Sequence, residues 1–475
     1  MTDASPLRDH KGDAAFAPQT SILTLGSAFY DEVTPAAFPQ HILRFRNDSA
    51  AAEVGLADLD DEAWIAHFGR FQPLPGSLQQ PLALRYHGHQ FRSYNADLGD
   101  GRGFLFAQLR DRDGRLMDLG TKGSGQTPYS RFGDGRLTLK GAVREVLATE
   151  MLEALGVNTS RTFSIVETGE SLHRNDEPSP TRSAVLVRLN HGHIRYGTFQ
   201  RLAYVDDAAA MARLVDYSLE YLLDDTPGLA DGPVRLMDHA VRGAAGLVAS
   251  YMAAGFVHGV LNTDNISITA ESFDYGPWRF TPTWAPDFTA AYFDHNGLYS
   301  FGRQPEALHW NLLQLARALC LVTAPETLQP VFDQFPAHYE RAMVAALLRR
   351  LGVQSRGEQA DLALIQAMEK ALAQSRIGLD RFFFDWFGGR RRGPSPEDAT
   401  YDRAEFRDFI AILSEYAPRF AEAPDYFHGA GPCSMHIDEV EAIWQAIAER
   451  DDWAPLQAKI AAVRAMGAAM RAAGS

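Results

Sequence analysis

Cysteine is nearly absent from this chain of 475 residues: Cys320 and Cys433 are the only two, far apart and without metal-ligand spacing. That excludes a disulfide framework and a cysteine zinc cluster. Two idle thiols in a reducing compartment are expected, with a bridge between them left open. Basic residues are in deficit, 45 Lys and Arg against 60 Asp and Glu, giving a net charge of −15. This argues against general binding of nucleic acid or an anionic membrane, though it allows a local basic pocket. No apolar run approaches the length of a transmembrane helix, and MTDASPLRDHKGDAAF has no basic head followed by an apolar core. A cytoplasmic location is expected. Internal repeats are absent too. What remains, 46% hydrophobic and 22% charged, is the composition of a folded protein with room for two or three lobes.

Residues 1–20 read as a polar leader, and 21 to about 80, rich in Pro and aromatics such as Phe29, Tyr30, Phe38 and Phe45, as a wrapping extension. From 81 to 204 short apolar runs alternate with glycine turns. Phe104–Leu109 and Ser183–Leu189 predict strands, and Leu139–Leu155 carries helical spacing (Val143, Val146, Leu147, Met151, Leu155) stopped by Gly156. Beyond 205 the text is helical, with apolar residues three and four apart over 208–223, 236–254, 305–323, 326–350 and 358–376. Residues 388–396, GGRRRGPSP, predict an exposed loop whose Arg triplet is solvated. The expected architecture is α+β: an extension over 1–80, a strand-rich nucleotide-binding lobe over 81–204, a helical lobe with a metal site over 205–420, and a helical tail over 421–475.

Chemistry concentrates at His258-Gly-Val-Leu-Asn-Thr-Asp264-Asn265, followed by Asp274-Tyr275-Gly276. Protein kinases place a catalytic-base Asp five residues before a metal-binding Asn and add the Asp of D-F-G. Here the base position is Val260, which accepts no proton, while Asn265 and Asp274 remain and a new acid, Asp264, stands beside the Asn. Hard oxygen donors of this kind suit Mg²⁺ or Mn²⁺. Lys122, amid Gly120-Thr-Lys-Gly-Ser-Gly125, precedes Glu145 in the predicted helix by 23 residues, the kinase pattern for orienting nucleotide phosphates. Either residue alone would read as solvated surface; with Asn265 and Asp274 downstream, the paired reading is the better one. Gly99-Asp-Gly101-Arg102-Gly103 and Phe132-Gly-Asp134-Gly135-Arg136 are glycine turns of a kind that admits phosphate to backbone N–H groups, although a plain hairpin also uses D-G. Arg188 and Arg195 flank His191-Gly-His193 and are spaced to clamp a polyphosphate. The histidine pairs 191/193 and 87/89 lack a third ligand, so packing or hydrogen bonding is expected of them rather than zinc.

Taken together, GDGRG (99–103), GTKGSGQTPYSRFGDGR (120–136), REVLATEMLEALG (144–156), HGVLNTDNISI (258–268), FDYGP (273–277) and YSFGRQP (299–305) resemble the selenoprotein O family of pseudokinase-fold protein adenylyltransferases. The resemblance implies a two-lobed, protein kinase-like fold binding ATP in a flipped orientation. AMP would then pass to Ser, Thr or Tyr hydroxyls of proteins with Mg²⁺, and nucleotides including UTP would serve with Mn²⁺. It assigns ATP contacts to Gly99, Gly101, Arg102, Lys122, Asp134, Gly135, Arg188, Arg195 and Asp274. Glu145 becomes the lysine's partner, Asp264 the proton acceptor, and Asn265 and Asp274 the metal ligands. Two stretches depart from the family pattern: 91–97 reads FRSYNAD without the usual glycine, and 430–475 has neither the family's N-P-x-x-V-L-R-N run nor a terminal Cys or selenocysteine. Redox control through that terminus is therefore not carried over. Competing readings are a kinase moving the γ-phosphate and a nucleotide-binding scaffold without transfer.

Overall fold

The strand-forming text of the first 190 residues closes into one antiparallel sheet in the computed structural model, which describes residues 14–175 and 177–473. Its strands and a side hairpin are, in chain order, β1 (Pro18–Gln19), β2 (Tyr30–Glu32), β3 (Ile42–Arg46), β4 (Leu82–Leu84), β5 (Gly88–Gln90), β6 (Ser93–Asn95), β7 (Leu105–Arg110), β8 (Leu116–Lys122), β9 (Leu137–Thr138), β10 (Arg161–Leu172) and β11 (Thr181–Asn190). Among the described residues the sheet runs β2-β4-β7-β8-β11-β10-β3, with β1 on β7 and β9 on β11, while β5 and β6 pair apart from it. Helices α1 (Asp48–Glu53) and α2 (Asp61–Phe68) cover one face, and α3 (Leu139–Ala154) covers the other. On the first face Trp64, Phe68, Phe106, Phe163, Val185 and Val187 form a core; on the second, Val143, Val146, Leu147, Ile165 and Leu186 do. Burial on both sides explains why β7 and β11 read as apolar runs without alternation.

The boundaries of α3 follow local chemistry. Thr138 accepts the Gly141 N–H at 3.1 Å to cap its start, and Gly156, at φ +80°, lies just past its end. The predicted strands 104–109 and 183–189 correspond to β7 and β11, and the predicted helix 139–155 to α3. The N-terminal segment does more than wrap. Pro18 and Gln19 pair with Leu109 and Gln108, β2 joins β4 and β3 joins β10, so this segment supplies three strands. Residues 1–13 of the expected leader lie outside the described residues.

After β11 come α4 (Tyr196–Tyr204), α5 (Ala208–Tyr217), α6 (Gly232–Ala254), the short pair β12 (Phe256–Val257) and β13 (Arg279–Phe280), then α7 (Gln304–Leu319), α8 (Pro325–Phe332), α9 (Phe335–Leu351), α10 (Glu358–Ser375), α11 (Leu379–Asp385), α12 (Asp398–Tyr401), α13 (Arg407–Leu413), α14 (Ile437–Arg450) and α15 (Ala454–Ala472). The stretch 326–350, read as one helix, is two. It breaks at Asp333–Gln334 because Pro336, which lacks an N–H, fits the first turn of a new helix better than the middle of an old one. The 388–396 loop is only partly solvated: Arg391 pairs with Asp402 at 2.7 Å, and Arg392 lies over the Phe384 ring at 4.7 Å. None of the described helices is long and apolar enough to cross a membrane.

Candidate nucleotide site

A cleft of about 610 Å³ opens at the ends of β7 and β8, a size suited to a nucleotide. It is lined by Gly99, Gly101, Arg102, Lys122, Asp134, Gly135, Arg188, Arg195 and Asp274, so nine separately chosen residues meet in one place. Lys122 ends β8. Its Nζ donates to Glu145 Oε2 at 2.7 Å and to Asp274 Oδ1 at 2.6 Å, joining sheet, helix α3 and the 273–277 loop in one triangle. Arg188, directly opposite Gly120 in the β8–β11 register, comes within 3.7 Å of Glu145 Oε1 and 3.8 Å of Asp274 Oδ1. Its Nε and Nη1 are buried and make no hydrogen bond. Buried donors without acceptors are costly, about 1–3 kcal/mol each, which suits a position that receives an anionic ligand.

Asp274 has φ +63°, an uncommon backbone state for a residue with a side chain. His258 steadies that bend, its Nε2 lying 3.0 Å from the Phe273 carbonyl oxygen. Burial works to raise the Asp274 pKa, but Lys122, Arg188, Arg102 and Arg195 outweigh it and hold the carboxyl well below the usual range. Asp274 is therefore a carboxylate, as a cation ligand must be.

Two glycine loops close the mouth of the cleft. Ser130 Oγ donates to the Gly101 carbonyl and Thr127 Oγ1 to the Asp100 carbonyl, each at 2.5 Å, which ties the 99–103 and 127–136 loops together. This is not the two-residue hairpin that D-G also allowed. Gly135 sits at φ +70° with its Cα against the Gly125 backbone, a conformation and a contact that a side chain would oppose. Asp134 faces Arg174, which donates to both its oxygens at 2.9 and 3.0 Å. Burial would raise the Asp134 pKa, yet Arg174 and the Arg136 N–H hold it down. Arg174 is a cleft residue the sequence did not offer: it lies 40 positions away in an unremarkable stretch.

Arg195 is pinned from several sides. It donates to the Asp264 carbonyl at 3.0 Å and to Asp100 Oδ1 at 3.2 Å, and stacks 4.3 Å from the centre of the Tyr86 ring. Asp264 and Asn265 are not part of the cleft lining. Asp264 is buried, with Oδ1 lacking a partner, and burial is the main reason its pKa is pushed up to about 6. It lies under the β5–β6 hairpin, so close that a Cβ on Gly88 would come within 3.1 Å of Oδ1. The hairpin is fastened to the 262–264 loop: the His89 N–H donates to Thr263 Oγ1 at 2.7 Å and the Phe91 N–H to Asn262 Oδ1 at 3.0 Å. Asn265 Nδ2 donates to the Val260 carbonyl at 3.0 Å, which leaves its amide oxygen as the acceptor end.

The donor types present suit a hard divalent cation: a carboxylate kept ionised (Asp274), an amide oxygen (Asn265) and, next to it in the chain, a buried carboxyl with one unpartnered oxygen (Asp264). Three of the four paired histidines have a hydrogen-bond partner at Nδ1. His87 Nδ1 is 2.9 Å from Tyr94 Oη, His89 Nδ1 is 2.8 Å from Gln200 Nε2, and His193 Nδ1 is 3.1 Å from Asp118 Oδ2. Among the described residues no group of three or more His, Cys, Asp or Glu is placed to hold a metal.

The family model described as protein adenylyltransferase SelO matches residues 14–464. Among curated relatives, "Protein nucleotidyltransferase YdiU" of Synechocystis sp. is 42% identical over 459 residues, 92% of this chain and 95% of that one. The protein of the same name in Gloeobacter violaceus is 42% identical over 481 residues, 98% of each chain, and that of Azotobacter vinelandii 33% over 443, covering 91% and 90%. Matches of this identity and extent leave no stretch of the cleft outside the likeness, and the chain belongs to the SelO/YdiU family of protein nucleotidyltransferases.

Proposed function

We propose that this protein transfers AMP from ATP to hydroxyl groups of Ser, Thr or Tyr in other proteins, with the polyphosphate end of the nucleotide in the depth of the cleft. The observation that carries this reading is the composition of that depth. Lys122, Arg102, Arg188 and Arg195 all line it, with Lys122 and Arg188 each within 4 Å of both Asp274 and Glu145, an arrangement that suits phosphates and not a purine. The resulting layout is kinase-like, with a strand-rich lobe over 81–204 to which the 1–80 extension adds three strands, a helical lobe over 205–420 and a helical tail over 421–475. The Lys122–Glu145 pair and the Asn265/Asp274 pair support it.

Lys122 and the arginines would orient the phosphates, and Glu145 would hold the lysine in place. Asn265 and Asp274 would hold Mg²⁺ or Mn²⁺, which offsets charge on phosphate oxygens and favours loss of pyrophosphate. Asp264 would accept the proton of the incoming hydroxyl as its oxygen bonds to the α-phosphorus and the α–β bridging bond breaks. Val260, where a kinase would carry its base, supports transfer by another route than γ-phosphoryl attack. Use of UTP with Mn²⁺ would need only the phosphate contacts, since no base-reading group is required of the deep end.

Incubation of the pure protein with ATP labelled at the α or γ position, with Mg²⁺ or Mn²⁺, tests this directly. The expected outcome is protein-bound α label and no bound γ label, with a modified hydroxyl heavier by AMP. Bound γ label would make it a kinase. Tight ATP binding with neither label transferred would make it a scaffold.

A further inference from the structure

Between Arg188 and Arg195 lies a buried imidazole that the transfer reaction, as described, does not use. His193 lines the cleft, and its Nδ1 is 3.1 Å from Asp118 Oδ2. The polarity of that contact is fixed from behind. Ile22 N–H donates to Gln108 Oε1 at 2.7 Å, so the Gln108 amide nitrogen must point the other way, and it donates to Asp118 Oδ1 at 2.7 Å and toward Tyr217 Oη at 3.4 Å. Asp118 is thus held as an acceptor, and His193 Nδ1 carries the hydrogen. The other nitrogen, Nε2, is buried and has no partner.

Nε2 also has a defined position. A Cβ on Gly120 would come within 2.2 Å of it, so the imidazole lies against the bare backbone of β8. Gly120 and Lys122 are two apart on one strand and share a face, which places Nε2 on the lysine's side of the sheet. A neutral Nε2 presents a lone pair, which repels a phosphate oxygen; a protonated one presents a donor. The charged or titratable groups facing this ring are Asp118 on β8, Arg188 on β11 and Asp100 on the 99–103 loop, with Tyr217 of α5 behind Gln108. Without ligand, burial keeps the imidazole pKa below its ordinary value despite Asp118. A polyphosphate arriving beside it reverses the balance.

We propose that His193, backed by Asp118, is a further phosphate-recognising residue: it takes up one proton from solvent when ATP binds and turns Nε2–H toward the polyphosphate. This rests on the reading that ATP enters the cleft phosphates first. Protonation on binding couples affinity to pH, so ATP should bind more weakly as pH rises through the pKa of the complex, while a ligand without that contact should not respond.

Calorimetric titration of the full-length protein with ATP and Mg²⁺, in buffers of different ionisation enthalpy at one pH, reads the proton directly. Wild type should take up a proton that His193→Gln does not. The variant should bind ATP roughly ten- to a hundredfold more weakly, the loss expected of one charge-assisted hydrogen bond, and keep its affinity for AMP. Equal uptake in wild type and variant, or parallel loss of ATP and AMP binding, overturns the proposal in favour of a packing role. Should His193→Gln lower the unfolding temperature markedly, Asp118→Asn, which keeps the side-chain volume, takes its place. It should reduce proton uptake, because an amide at 118 donates to His193 Nδ1 and leaves the hydrogen of the neutral ring on Nε2, and unchanged uptake would overturn the proposal. Transfer of α label by wild type is followed in parallel. Its absence beside an intact proton linkage removes the transferase reading and leaves the His193 assignment standing.

Discussion

Asp264 and Lys122, if both act in the proposed transfer, should fail differently when changed. Lys122 is in direct contact with Glu145 and Asp274 at the depth of the cleft, where the proposed function puts the phosphates before and during reaction. Asp264 lies under the β5–β6 hairpin and outside the cleft lining. Lys122→Ala should therefore weaken ATP binding and lower turnover together, whereas Asp264→Asn should largely spare binding and reduce turnover by roughly 10²–10⁴. Calorimetry beside turnover for both variants checks this, and an Asp264→Asn protein that loses ATP binding as Lys122→Ala does would make Asp264 a ligand or structural residue. At this scale the sequence was legible in part: Lys122, Glu145 and Asp274, read in kinase-like order, meet in one ion-paired group, while Asn265 lies outside the cleft lining. What it did not offer were partners set by three-dimensional approach alone, such as Arg174 on Asp134, or Gln108 fixing Asp118. A charge or amide with no motif around it carries no signal until the fold brings its partner near.

The β5–β6 hairpin is the element that decides where Asp264 sits. Its turn residues Phe91 and Arg92 both have positive φ, +49° and +64°, where Asn and Gly are usual. The absence of glycine from 91–97 is thus a local strain that contacts offset: Phe91 packs on Tyr299, with ring centres 5.1 Å apart, and Arg92 pairs with Glu306 at 2.7 Å. Gly88→Ala would put a methyl 3.0–3.2 Å from Thr263 and Asp264, forcing a shift of a few tenths of an ångström. Because proton transfer depends on such distances, turnover should fall about tenfold or more with ATP affinity unchanged. Steady-state kinetics with a binding isotherm tests it, and unchanged turnover would show that the hairpin does not set the acid's position. A second element, α15, buttresses α3: Arg464 donates to both oxygens of Glu150, at 2.8 and 2.6 Å. Burial raises the Glu150 pKa above its ordinary 4.5, with Arg464 opposing that rise. In Arg464→Ala the rise is opposed only by the charge of Arg161, and the folded state holds its proton more tightly than the unfolded chain does. The variant's loss of stability should be small below pH 4.5 and grow to about 1–3 kcal/mol as pH rises through the folded-state value. Denaturant melts at pH 4 and pH 8 read that difference, and a pH-independent loss would mean that packing, not charge, is what Arg464 contributes. Helices α3, α6 and α7 were legible from their three- and four-residue spacing. The break before α9 is masked in the sequence, because the apolar spacing continues on both sides of Pro336.

For the whole molecule, the question is what the tail beyond residue 420 does, since its text departs from the family pattern and its packing partners are remote in sequence. One apolar core runs through Ile22, Val146, Leu186, Leu247 and Leu315 and ends on Val440, Ile443, Ile447, Leu456, Val463 and Met466 of α14 and α15. The tail is therefore part of the main core and not an appendage to it. Polar contacts repeat the pattern around α3 and the sheet edge: Lys140 pairs with Glu441 at 2.7 Å and Arg182 with Asp451 at 2.8 Å, and Arg44 lies 5.1 Å from the centre of the Trp453 ring. Removing residues 437–475 would uncover the other side of six buried apolar residues, each worth about 1.5–3 kcal/mol when fully buried. That sum is comparable with the ~5–15 kcal/mol net stability of a typical domain, so the shortened chain should not fold as a stable unit. The intact protein should melt in one cooperative transition that nucleotide shifts upward as a whole, because the helix bearing Glu145 and the helices at its back share that core. Scanning calorimetry with and without ATP, beside expression of a chain ending at residue 436, tests both statements. A shortened protein that stays soluble, melts at the same temperature and binds ATP as before would show α14 and α15 to be dispensable. Two separate transitions in the intact protein, only one responding to ATP, would show that the shared apolar core does not couple the tail to the nucleotide site.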